Sequence, residues 1–295
     1  MLRVLCVCTG NTCRSPMAES LLQREADRLG LPVSVTSAGL AAFPGDAATM
    51  HAVHVMAELG VDLSAHRART VTPYLLDESD YVICMSSSHR TALLPYVPEE
   101  KLIVPPGGIP DPFGGDEETY RSTRDALNLF LCDWLQSVSA PVVAPMLETD
   151  VPAVAALEKT CFSVPWSEES IRAELQNETA HIWTLSVCRE IVGYIGVHIV
   201  LDEAEVMNLA VAPAFRRRGF GRLLLQTALA FCRENGCAFL SLEVRESNAP
   251  AVALYTALGF SVCGRRKQYY QQPPEDALLL RCTLSGEEGD PLCES

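Results

Sequence analysis

The chain has 295 residues, of which 48% are hydrophobic and 20% charged, and its net charge is −14. This length and composition predict two globular domains, each large enough to bury its own core. There are 10 basic against 17 acidic residues in 1–140 and 13 against 20 in 141–295, a net charge of −7 in each half. This acidity argues against nucleic acid or an anionic membrane surface as a partner.

The first residues lead directly into an apolar segment without an export signal, so we expect a cytoplasmic protein. In that compartment its 12 cysteines are expected to stay reduced. No apolar run approaches the ~20 residues of a membrane span. The sequence contains no paired C-x-x-C motif, and His51 and His54 are predicted to be ordinary helix residues. No metal site is expected.

Short apolar runs alternate with amphipathic stretches in residues 1–140, the pattern of a parallel α/β domain. Strands are predicted at 2–7, 33–37, 81–85 and 102–104, and helices at 16–29, 47–59, 75–79, 87–94 and 117–137. Ser15 is predicted to cap the first helix, with Pro16 in its first turn. Residues 105–115 form a loop rich in proline and glycine, a natural position for catalytic groups.

Small residues and prolines interrupt the helical pattern at 137–145, and we place the boundary between the two domains there, near residue 140. The second half follows a different plan, with helices predicted at 150–162, 167–176, 221–235 and 250–258. Its strands are predicted at 182–187, 191–200, 205–211, 239–244, 260–263 and 277–283. Asp150 and Ser167 are the expected caps of the first two helices. This mixture of hairpins and crossovers predicts an α/β domain with a mixed sheet.

The sequence from Cys8 to Ser15 reads Cys-Thr-Gly-Asn-Thr-Cys-Arg-Ser and follows the first predicted strand. A cysteine and an arginine separated by five residues, between a strand and a helix, are typical of a loop that surrounds a phosphate. Loop amides and the helix N-terminus favour a thiolate and a bound phosphoryl group, and the planar Arg14 side chain can hold two phosphate oxygens. The alternative is a buried structural cysteine beside a surface arginine.

Together with residues 7–19, the segments Ser-Ala-Gly at 37–39 and Asp-Pro-Phe at 111–113 resemble the low-molecular-weight protein tyrosine phosphatase family. The resemblance covers most of residues 1–140 and implies a domain with a central parallel sheet. It implies that Cys8 attacks phosphorus and that Arg14 binds the phosphate and its transition state. Asp111 would protonate the leaving atom and then activate water. The loop residues implied to contact the substrate or support the loop are Thr9, Gly10, Asn11, Thr12, Cys13 and Ser15. Among these, Asn11 would brace the loop and Ser15 would hydrogen-bond the Cys8 sulfur.

Thr12 is the loop residue that bears on the substrate. The loop and the Asp-Pro-Phe-Gly-Gly sequence at 111–115 resemble the bacterial protein-arginine-phosphatase branch, whereas members acting on phosphotyrosine tend to carry a bulky aliphatic residue at this position. A threonine hydroxyl can accept a hydrogen bond from a guanidinium group, and Phe113 can stack against one. We therefore expect phosphoarginine in proteins as the substrate, with phosphotyrosine as the alternative. Cys13 is a candidate for a reversible disulfide with Cys8.

A second loop motif, Arg-Arg-Arg-Gly-Phe-Gly at 216–221, lies between a predicted strand and a long predicted helix. Glycines permit close backbone approach, and amides at a helix start bind anions. The motif lacks the G-K-[S/T] ending of a nucleotide P-loop and the third glycine of a Rossmann fingerprint. A plain turn with a basic surface is the alternative.

The R-x-x-G-x-G pattern resembles the acyl-CoA pyrophosphate loop of the GNAT acetyltransferases. Residues 145–285 are also similar to ribosomal-protein alanine N-acetyltransferases in Pro-Trp-Ser at 165–167, Leu-Glu-Val-Arg at 242–245, Ser-Asn at 247–248, Ala-Leu-Tyr at 253–255, Leu-Gly-Phe at 258–260, Arg-Arg at 265–266 and Tyr-Tyr at 269–270. The resemblance implies acetyl-CoA as a substrate, Glu243 as the general base and Tyr255 as the acid that protonates the CoA thiolate. The implied contacts to acetyl-CoA come from Leu209, Val211, Arg216, Arg217, Arg218, Gly219, Phe220, Gly221 and Asn248.

The sequence therefore predicts a fusion of two enzymes, a phosphatase domain at 1–140 and an N-acetyltransferase domain at 141–295. The expected partners are phosphorylated proteins and the N-terminal alanine of a ribosomal protein. Acetylation of a small amine is an alternative for the second half, although the tyrosines at 269–270 favour a peptide. A half that serves only as a binding module is a further alternative, against which the catalytic residue types in both halves argue.

Overall fold

The structure, a computed structural model, describes residues 1–284. The chain forms two compact units: residues 1–140 with 187–190, and the rest of the described chain. Each unit has its own hydrophobic core. In the described part of the chain, no helix is both long enough and apolar enough to cross a membrane. The predicted fold class, two α/β domains, is confirmed.

The first unit is a four-stranded parallel sheet flanked by helices. Its elements are β1 (Leu2–Cys8), α1 (Arg14–Leu29), β2 (Val33–Gly39), α2 (Met50–Ala57), α3 (Pro73–Asp77), β3 (Tyr81–Cys84), α4 (Ser87–Leu93), β4 (Leu102–Ile103) and α5 (Glu117–Val138). The strand order is β2-β1-β3-β4. Strand β1 pairs in parallel with β2 and β3 and is buried except at Arg3. An interior strand of this kind places whatever follows its carboxyl end at the edge where ligands bind in such sheets.

Two expectations for this unit are wrong in detail. Helix α1 begins at Arg14, so Ser15 lies inside its first turn and does not cap it; the N-cap is Cys13. Helix α2 begins at Met50 and not at residue 47, because Thr49 caps it with its side chain. The Thr49 amide donates to the Thr12 carbonyl (2.9 Å), which attaches this segment to the loop after β1.

The second unit is built on a mixed sheet. Its elements are β5 (Val142–Pro145), α6 (Val151–Cys161), α7 (Glu168–Leu175), β6 (Ala180–Val187), β7 (Glu190–Val200), β8 (Glu203–Val211), α8 (Phe220–Glu234), β9 (Phe239–Arg245), α9 (Ala249–Thr256), β10 (Ser261–Gln271) and β11 (Pro274–Thr283). The strand order is β10-β11-β9-β8-β7-β6-β5. Strands β8 and β9 pair in parallel, while β7 with β8 and β9 with β11 are antiparallel.

The parallel pair β8 and β9 parts along its length. In the described residues the pairing runs only from Glu203 with Phe239 to Glu205 with Ser241, although β8 continues to Val211 and β9 to Arg245. A register shift in the β7–β8 ladder near Gly196 accompanies this separation. The two strands therefore open a gap in the sheet at their carboxyl ends.

Three expectations for the second unit need correction. Residues 142–145, for which no element was predicted, form strand β5, which pairs antiparallel with β6. Asp150 does not cap α6 with its side chain; its carboxylate accepts the Leu147 amide (2.9 Å). Strand β10 extends to Gln271, well beyond the predicted 260–263. The prediction was too short because the charged, exposed sequence of this strand lacks the apolar pattern of a buried strand. Ser167 does cap α7, as predicted.

Candidate active sites

The loop after β1 directs hydrogen-bond donors at one buried sulfur. Cys8 ends β1, and the Asn11 amide donates to its Sγ over 3.2 Å. The Ser15 hydroxyl, in the first turn of α1, lies 3.0 Å from the same sulfur. Hydrogen bonds to sulfur together with a helix N-terminus favour the thiolate form of a cysteine. The loop thus directs both a backbone amide and a hydroxyl group at the Cys8 sulfur.

Asn11 stabilises the conformation of this loop through hydrogen bonds of its side chain and backbone. It is fully buried and adopts a left-handed conformation, with a φ of 55°. Its side-chain amide donates to the hydroxyls of Ser15 and Ser37 (both 2.9 Å), and its side-chain oxygen accepts the Arg69 amide (2.9 Å). Its backbone carbonyl accepts a hydrogen bond from His66 (2.7 Å). Asn11 and the 37–39 segment are predicted from the sequence, whereas His66 and Arg69 belong to no motif that predicts this contact.

Gly39, at the end of β2, has a steric reason to be glycine. A Cβ atom at this position would lie 2.5 Å from the Thr9 carbonyl oxygen and 2.9 Å from the Asn11 amide nitrogen. Both are backbone atoms of the loop and cannot give way without moving it. Gly39 therefore allows the loop to lie directly against β2.

Arg14 and Asp111 meet beside the loop. The Arg14 side chain is almost entirely buried, and its guanidinium donates to the Ile109 carbonyl (3.2 Å) and to the Asp111 carboxylate (2.5 Å). Asp111 is half-exposed, and its other carboxylate oxygen accepts the Phe113 amide (3.3 Å). The Phe113 side chain is exposed. The proline- and glycine-rich loop thus brings a carboxylate to the arginine of the Cys8 loop.

His89 is a component of this site that the sequence analysis missed. It lies in α4 and is buried, with Nε2 2.9 Å from the Thr9 hydroxyl and Nδ1 2.8 Å from the Ser86 hydroxyl. Burial, followed by the nearby positive charge of Arg14, lowers the pKa of His89 below its usual 6.5. In the sequence, a histidine in a serine-rich helical stretch gave no signal of this contact.

The remaining loop residues make local contacts. Thr12 is half-buried, and a Cβ atom on Gly10 would meet its hydroxyl at 3.5 Å. The Cys13 sulfur lies 3.2 Å from the Tyr120 hydroxyl and 3.6 Å from that of Thr49. Cys8 and Cys13 are both free thiols. The proposed disulfide between them stays a prediction.

In the second unit, the 216–221 loop leads from β8 into α8. Gly219 caps this helix in a left-handed conformation, with a φ of 83°, and Phe220 and Gly221 form its first turn. Arg217 also has a positive φ, 66°. These conformations turn the chain so that the amides of the first helical turn point out of the helix end.

Two arginine side chains of this loop fold back onto the protein. Arg216 donates to the Val211 carbonyl at the end of β8 (3.0 Å), one of the groups that the resemblance implies for acetyl-CoA. Arg218 donates to the Ala214 carbonyl (3.2 Å), and its guanidinium lies 4.9 Å from the centre of the Phe215 ring. Two of the three arginines of this loop are therefore engaged with carbonyl groups of the protein itself.

Glu243 and Tyr255 belong to β9 and α9. The Glu243 carboxylate forms an ion pair with Arg266 (2.6 Å) and a hydrogen bond with the Tyr269 hydroxyl, which is the main reason that the pKa of Tyr269 rises to about 12. Tyr255 is buried, and burial raises its pKa to about 12, with the neighbouring Tyr270 as a second cause. Tyr255 is therefore protonated at neutral pH and can serve as a proton donor.

Two further predicted contacts to acetyl-CoA are Asn248, at the start of α9, and Leu209, on β8. The Asn248 side chain caps α9 by accepting the Ala251 amide (3.3 Å). Leu209 pairs with Ile195 of β7 and lies on β8 beyond the point at which β8 and β9 part. Its backbone is thus placed along the gap.

A buried carboxylate that the sequence analysis missed supports the same region. Glu158 of α6 accepts the Trp166 amide (2.7 Å), a hydrogen bond from the Tyr194 hydroxyl and one from the Asn208 side chain (3.3 Å). It is completely buried, and burial raises its pKa above the usual value. Glu158 connects α6 and the segment before α7 to β7 and β8.

Comparison with protein families separates the two units in the same way as their folds. The family model described as low molecular weight phosphotyrosine protein phosphatase matches residues 3–144, and that described as acetyltransferase (GNAT) family matches residues 151–260. The chain belongs to both families. The amino-terminal unit is a phosphatase-family domain and the carboxy-terminal unit a GNAT domain, so both are of enzyme families.

Individual relatives cover one unit each. The chain is 38% identical over 137 residues to the protein-arginine-phosphatase of Bacillus subtilis, a match covering 43% of this chain and 91% of that protein. It is 40% identical over 139 residues to the protein-arginine-phosphatase of Geobacillus stearothermophilus, covering 44% and 90%. It is 38% identical over 139 residues to the [ribosomal protein bS18]-alanine N-acetyltransferase of Salmonella typhimurium, covering 46% and 93%.

Proposed function

We propose that this chain is a bifunctional enzyme, with a protein-arginine phosphatase in residues 1–140 and an N-terminal alanine acetyltransferase in residues 141–295. The observation that carries the first activity is the convergence of Asn11, Ser15 and the start of α1 on the Cys8 sulfur, with Arg14 and Asp111 alongside. The observation that carries the second is the parting of β8 and β9 next to Glu243.

In the proposed phosphatase reaction the Cys8 thiolate attacks phosphorus and a phosphocysteine forms. The bond from phosphorus to the leaving nitrogen breaks as Asp111 gives that nitrogen a proton. Arg14 holds the equatorial phosphate oxygens with its planar guanidinium. Asp111 then takes a proton from water, the resulting oxygen nucleophile attacks phosphorus, and the sulfur leaves as a thiolate stabilised by the Ser15 hydroxyl.

The assignment of phosphoarginine follows from Thr12 and Phe113. Thr12 is half-buried in the loop, and its hydroxyl oxygen can accept a hydrogen bond from a guanidinium N–H. The phenolic oxygen of phosphotyrosine is bonded to phosphorus and has no hydrogen to donate. Phe113 presents an exposed ring next to Asp111, against which a planar guanidinium can stack. The two relatives named protein-arginine-phosphatases support this choice over phosphotyrosine.

Phosphate release from phosphoarginine and phosphotyrosine peptides tests this proposal, with Cys8→Ser as the blank. We expect a strong preference for phosphoarginine, and we expect Thr12→Ile to shift the preference toward phosphotyrosine. A preference of the wild-type protein for phosphotyrosine would leave the Cys8 mechanism in place and overturn the arginine assignment.

The second unit offers a fitting site for acetyl-CoA. Leu209 and Val211 lie on β8 beyond the point at which it parts from β9, which supports a contact between their backbone and the acetyl and pantetheine arm. The amides of residues 217–221, at the start of α8, suit the pyrophosphate. Gly221 packs closely, since a Cβ there would lie 3.2 Å from Leu254, and Asn248 acts by fixing the start of α9. The GNAT family to which this unit belongs supports acetyl-CoA as the acyl donor.

In the proposed transfer, the acceptor amine attacks the thioester carbonyl, a carbon–nitrogen bond forms and the carbon–sulfur bond breaks. Glu243 takes the proton from the amine, directly or through water, and Tyr255 gives its proton to the departing CoA thiolate. The raised pKa of Tyr255 keeps this proton in place at neutral pH until the thiolate forms. The relative from Salmonella supports a ribosomal-protein N-terminal alanine as the acceptor.

Mass spectrometry of reactions containing acetyl-CoA and either an alanine-starting peptide or spermidine tests the acceptor class. We expect acetylation at the α-amino group of the peptide and little on spermidine. Tyr255→Phe should lower kcat by roughly 10²-fold, because it removes the acid without removing the ring. Efficient acetylation of spermidine alone would overturn the peptide assignment.

A further inference from the structure

One carboxylate oxygen of the Glu243 side chain is sealed from solvent. Across the described residues, no group is oriented to hydrogen-bond this oxygen, Oε1. The Arg266 Nη1 nevertheless lies 2.6 Å from it, so the contact is an ion pair. A carboxylate excluded from water is costly unless a positive charge neutralises it, and Arg266 supplies that charge.

Arg266 lies where its side chain can move away from Glu243 into solvent. Its side chain is 55% exposed, whereas that of Glu243 is only 11% exposed. Arg266 belongs to β10, the edge strand of the sheet, and the pairing of β10 with β11 is irregular between Arg266 and Tyr270. Within this irregular segment Gln268 has a φ of 51°. An exposed side chain on an irregular edge strand can move into solvent without disturbing a packed core.

Arg266 also lies over a tyrosine ring, that of Tyr269 (5.6 Å), but neighbouring arginines differ from it in their ion-pair partners. Arg265, the preceding residue on β10, pairs with Glu246 and lies 3.7 Å from Asp276. Arg245 pairs with Glu275 (3.1 Å) and stacks over the Tyr270 ring. Both therefore have partners outside the proposed acid–base pair, while the ion pair of Arg266 is made with the proposed base itself.

We propose that Arg266 is a stand-in for the acceptor ammonium group: its guanidinium neutralises Glu243 in the absence of acceptor and is displaced when the positively charged N-terminus of the peptide binds. This inference rests on the proposed acetyltransferase function of the unit. An α-amino group has a pKa near 8 and reaches the site mostly as an ammonium, so the exchange replaces one cation by another. The buried carboxylate stays neutralised throughout, and acceptors without a positive charge gain nothing from Glu243.

The test compares Arg266→Met with the matched control Arg265→Met in the full-length protein. The dissociation constant of an alanine-starting peptide is measured by calorimetry in the presence of CoA, which cannot react, and again with the same peptide acetylated at its N-terminus. Steady-state KM values for the peptide and for acetyl-CoA are measured in parallel.

We expect Arg266→Met to tighten binding of the unblocked peptide by about fivefold, because no resident cation has to be displaced, and to lower its KM correspondingly. Binding of the blocked peptide and the KM for acetyl-CoA should stay within twofold of wild type, and Arg265→Met should change none of these values. Equal or weaker binding of the unblocked peptide by Arg266→Met would overturn the inference, as would equal tightening of both peptides.

The proposed function is tested separately by the wild-type protein in the same assays. If the wild-type protein acetylates the peptide but Arg266→Met does not bind the unblocked peptide more tightly, only the stand-in role of Arg266 is rejected. If wild type acetylates spermidine and not the peptide, the acceptor assignment fails, and the comparison of variants is made with spermidine. If wild type acetylates neither acceptor, the acetyltransferase function and this inference both fail.

Discussion

The Cys8 loop and the 216–221 loop both connect a strand to the start of a helix, yet they are built in opposite ways. In the first, side chains do the work: Asn11, Arg14 and Ser15 are buried, and each makes side-chain hydrogen bonds within the site. In the second, the side chains of Arg216 and Arg218 donate to carbonyl groups of the protein, and Gly219 offers no side chain to cap the helix start.

The difference matches the chemistry that we propose for each loop. A loop that stabilises a sulfur nucleophile and a phosphoryl transition state needs donors fixed to within a few tenths of an ångström, which a buried network provides. A loop that holds a pyrophosphate far from the reacting atoms needs only an anion-binding helix end. The two loops should therefore respond very differently to equivalent substitutions.

The largest expected contrast is between two conservative arginine substitutions. Arg14→Lys should lower the kcat/KM of the phosphatase by roughly 10²- to 10³-fold, because lysine cannot form the two-pronged contact with phosphate oxygens. Arg216→Lys should raise the KM for acetyl-CoA by less than about fivefold, since its guanidinium is engaged with a carbonyl and exposed. Initial rates with each substrate measure both effects. Similar losses from the two substitutions would contradict the contrast.

A second contrast concerns Gly39, which packs against the Cys8 loop, and Gly219 within the 216–221 loop. Gly39→Ala should lower phosphatase kcat by roughly 10²-fold, because the new methyl group displaces backbone atoms of the Cys8 loop. Gly219→Ala has open space around its Cβ and should cost only about 1–2 kcal/mol of stability from its positive φ. Enzyme rates and urea unfolding measure the two outcomes. A Gly39→Ala protein with normal phosphatase kinetics would show that the loop tolerates movement.

Asn11 in the first unit and Glu158 in the second are buried polar residues that each connect several elements. Asn11→Ala leaves the Arg69 amide without its acceptor and the Ser15 and Ser37 hydroxyls without a donor, and Glu158→Ala leaves three donors without an acceptor. Each substitution should lower the stability of its own unit by about 2–4 kcal/mol. Only Asn11→Ala should also impair phosphatase kcat. Urea unfolding followed by Trp134 reports the first unit, and Trp166 with Trp183 reports the second. Glu158→Gln, which keeps an acceptor for Trp166, is the control and should lose less.

The smallest expected effect is the pH dependence that His89 adds to the first unit. Its pKa in the fold lies below 6.5, so as the pH falls through 6.5 the unfolded chain binds a proton that the fold does not. The contribution of His89 to the free energy of unfolding is therefore present at neutral pH. It is lost as the pH falls from 6.5 through the lower pKa that His89 has in the folded protein. Urea midpoints at pH 7.5, 6.5 and 5.5, read from Trp134 with Trp166 and Trp183 changed to phenylalanine, should fall less steeply in His89→Gln. An NMR titration of His89 with a midpoint above 6.5 would contradict this.

Local sequence patterns were sufficient for most of the fold. Buried strands such as β1 and capped helices such as α7 follow from apolar periodicity and a serine cap, which act over a few residues. Predictions from apolar periodicity failed where the contacts come from elsewhere in the chain. Helix α2 begins later than predicted, where the Thr49 amide donates to the Thr12 carbonyl, and β5 is a strand because β6 pairs with it. Strand β10 was underestimated because an exposed edge strand carries no apolar signal.

The sequence by itself determined the two chemistries that we propose: the Cys8 and Arg14 spacing, the Asp-Pro loop and the 216–221 glycines lie close together in the chain or in recognisable order. Only the tertiary structure decided what holds and balances these groups. His66, His89 and Arg69 reach the Cys8 loop from more than 50 residues away, and Arg266 reaches Glu243 from the far edge strand. Such partners are chosen by packing and charge neutralisation across the fold, which no short stretch of sequence displays.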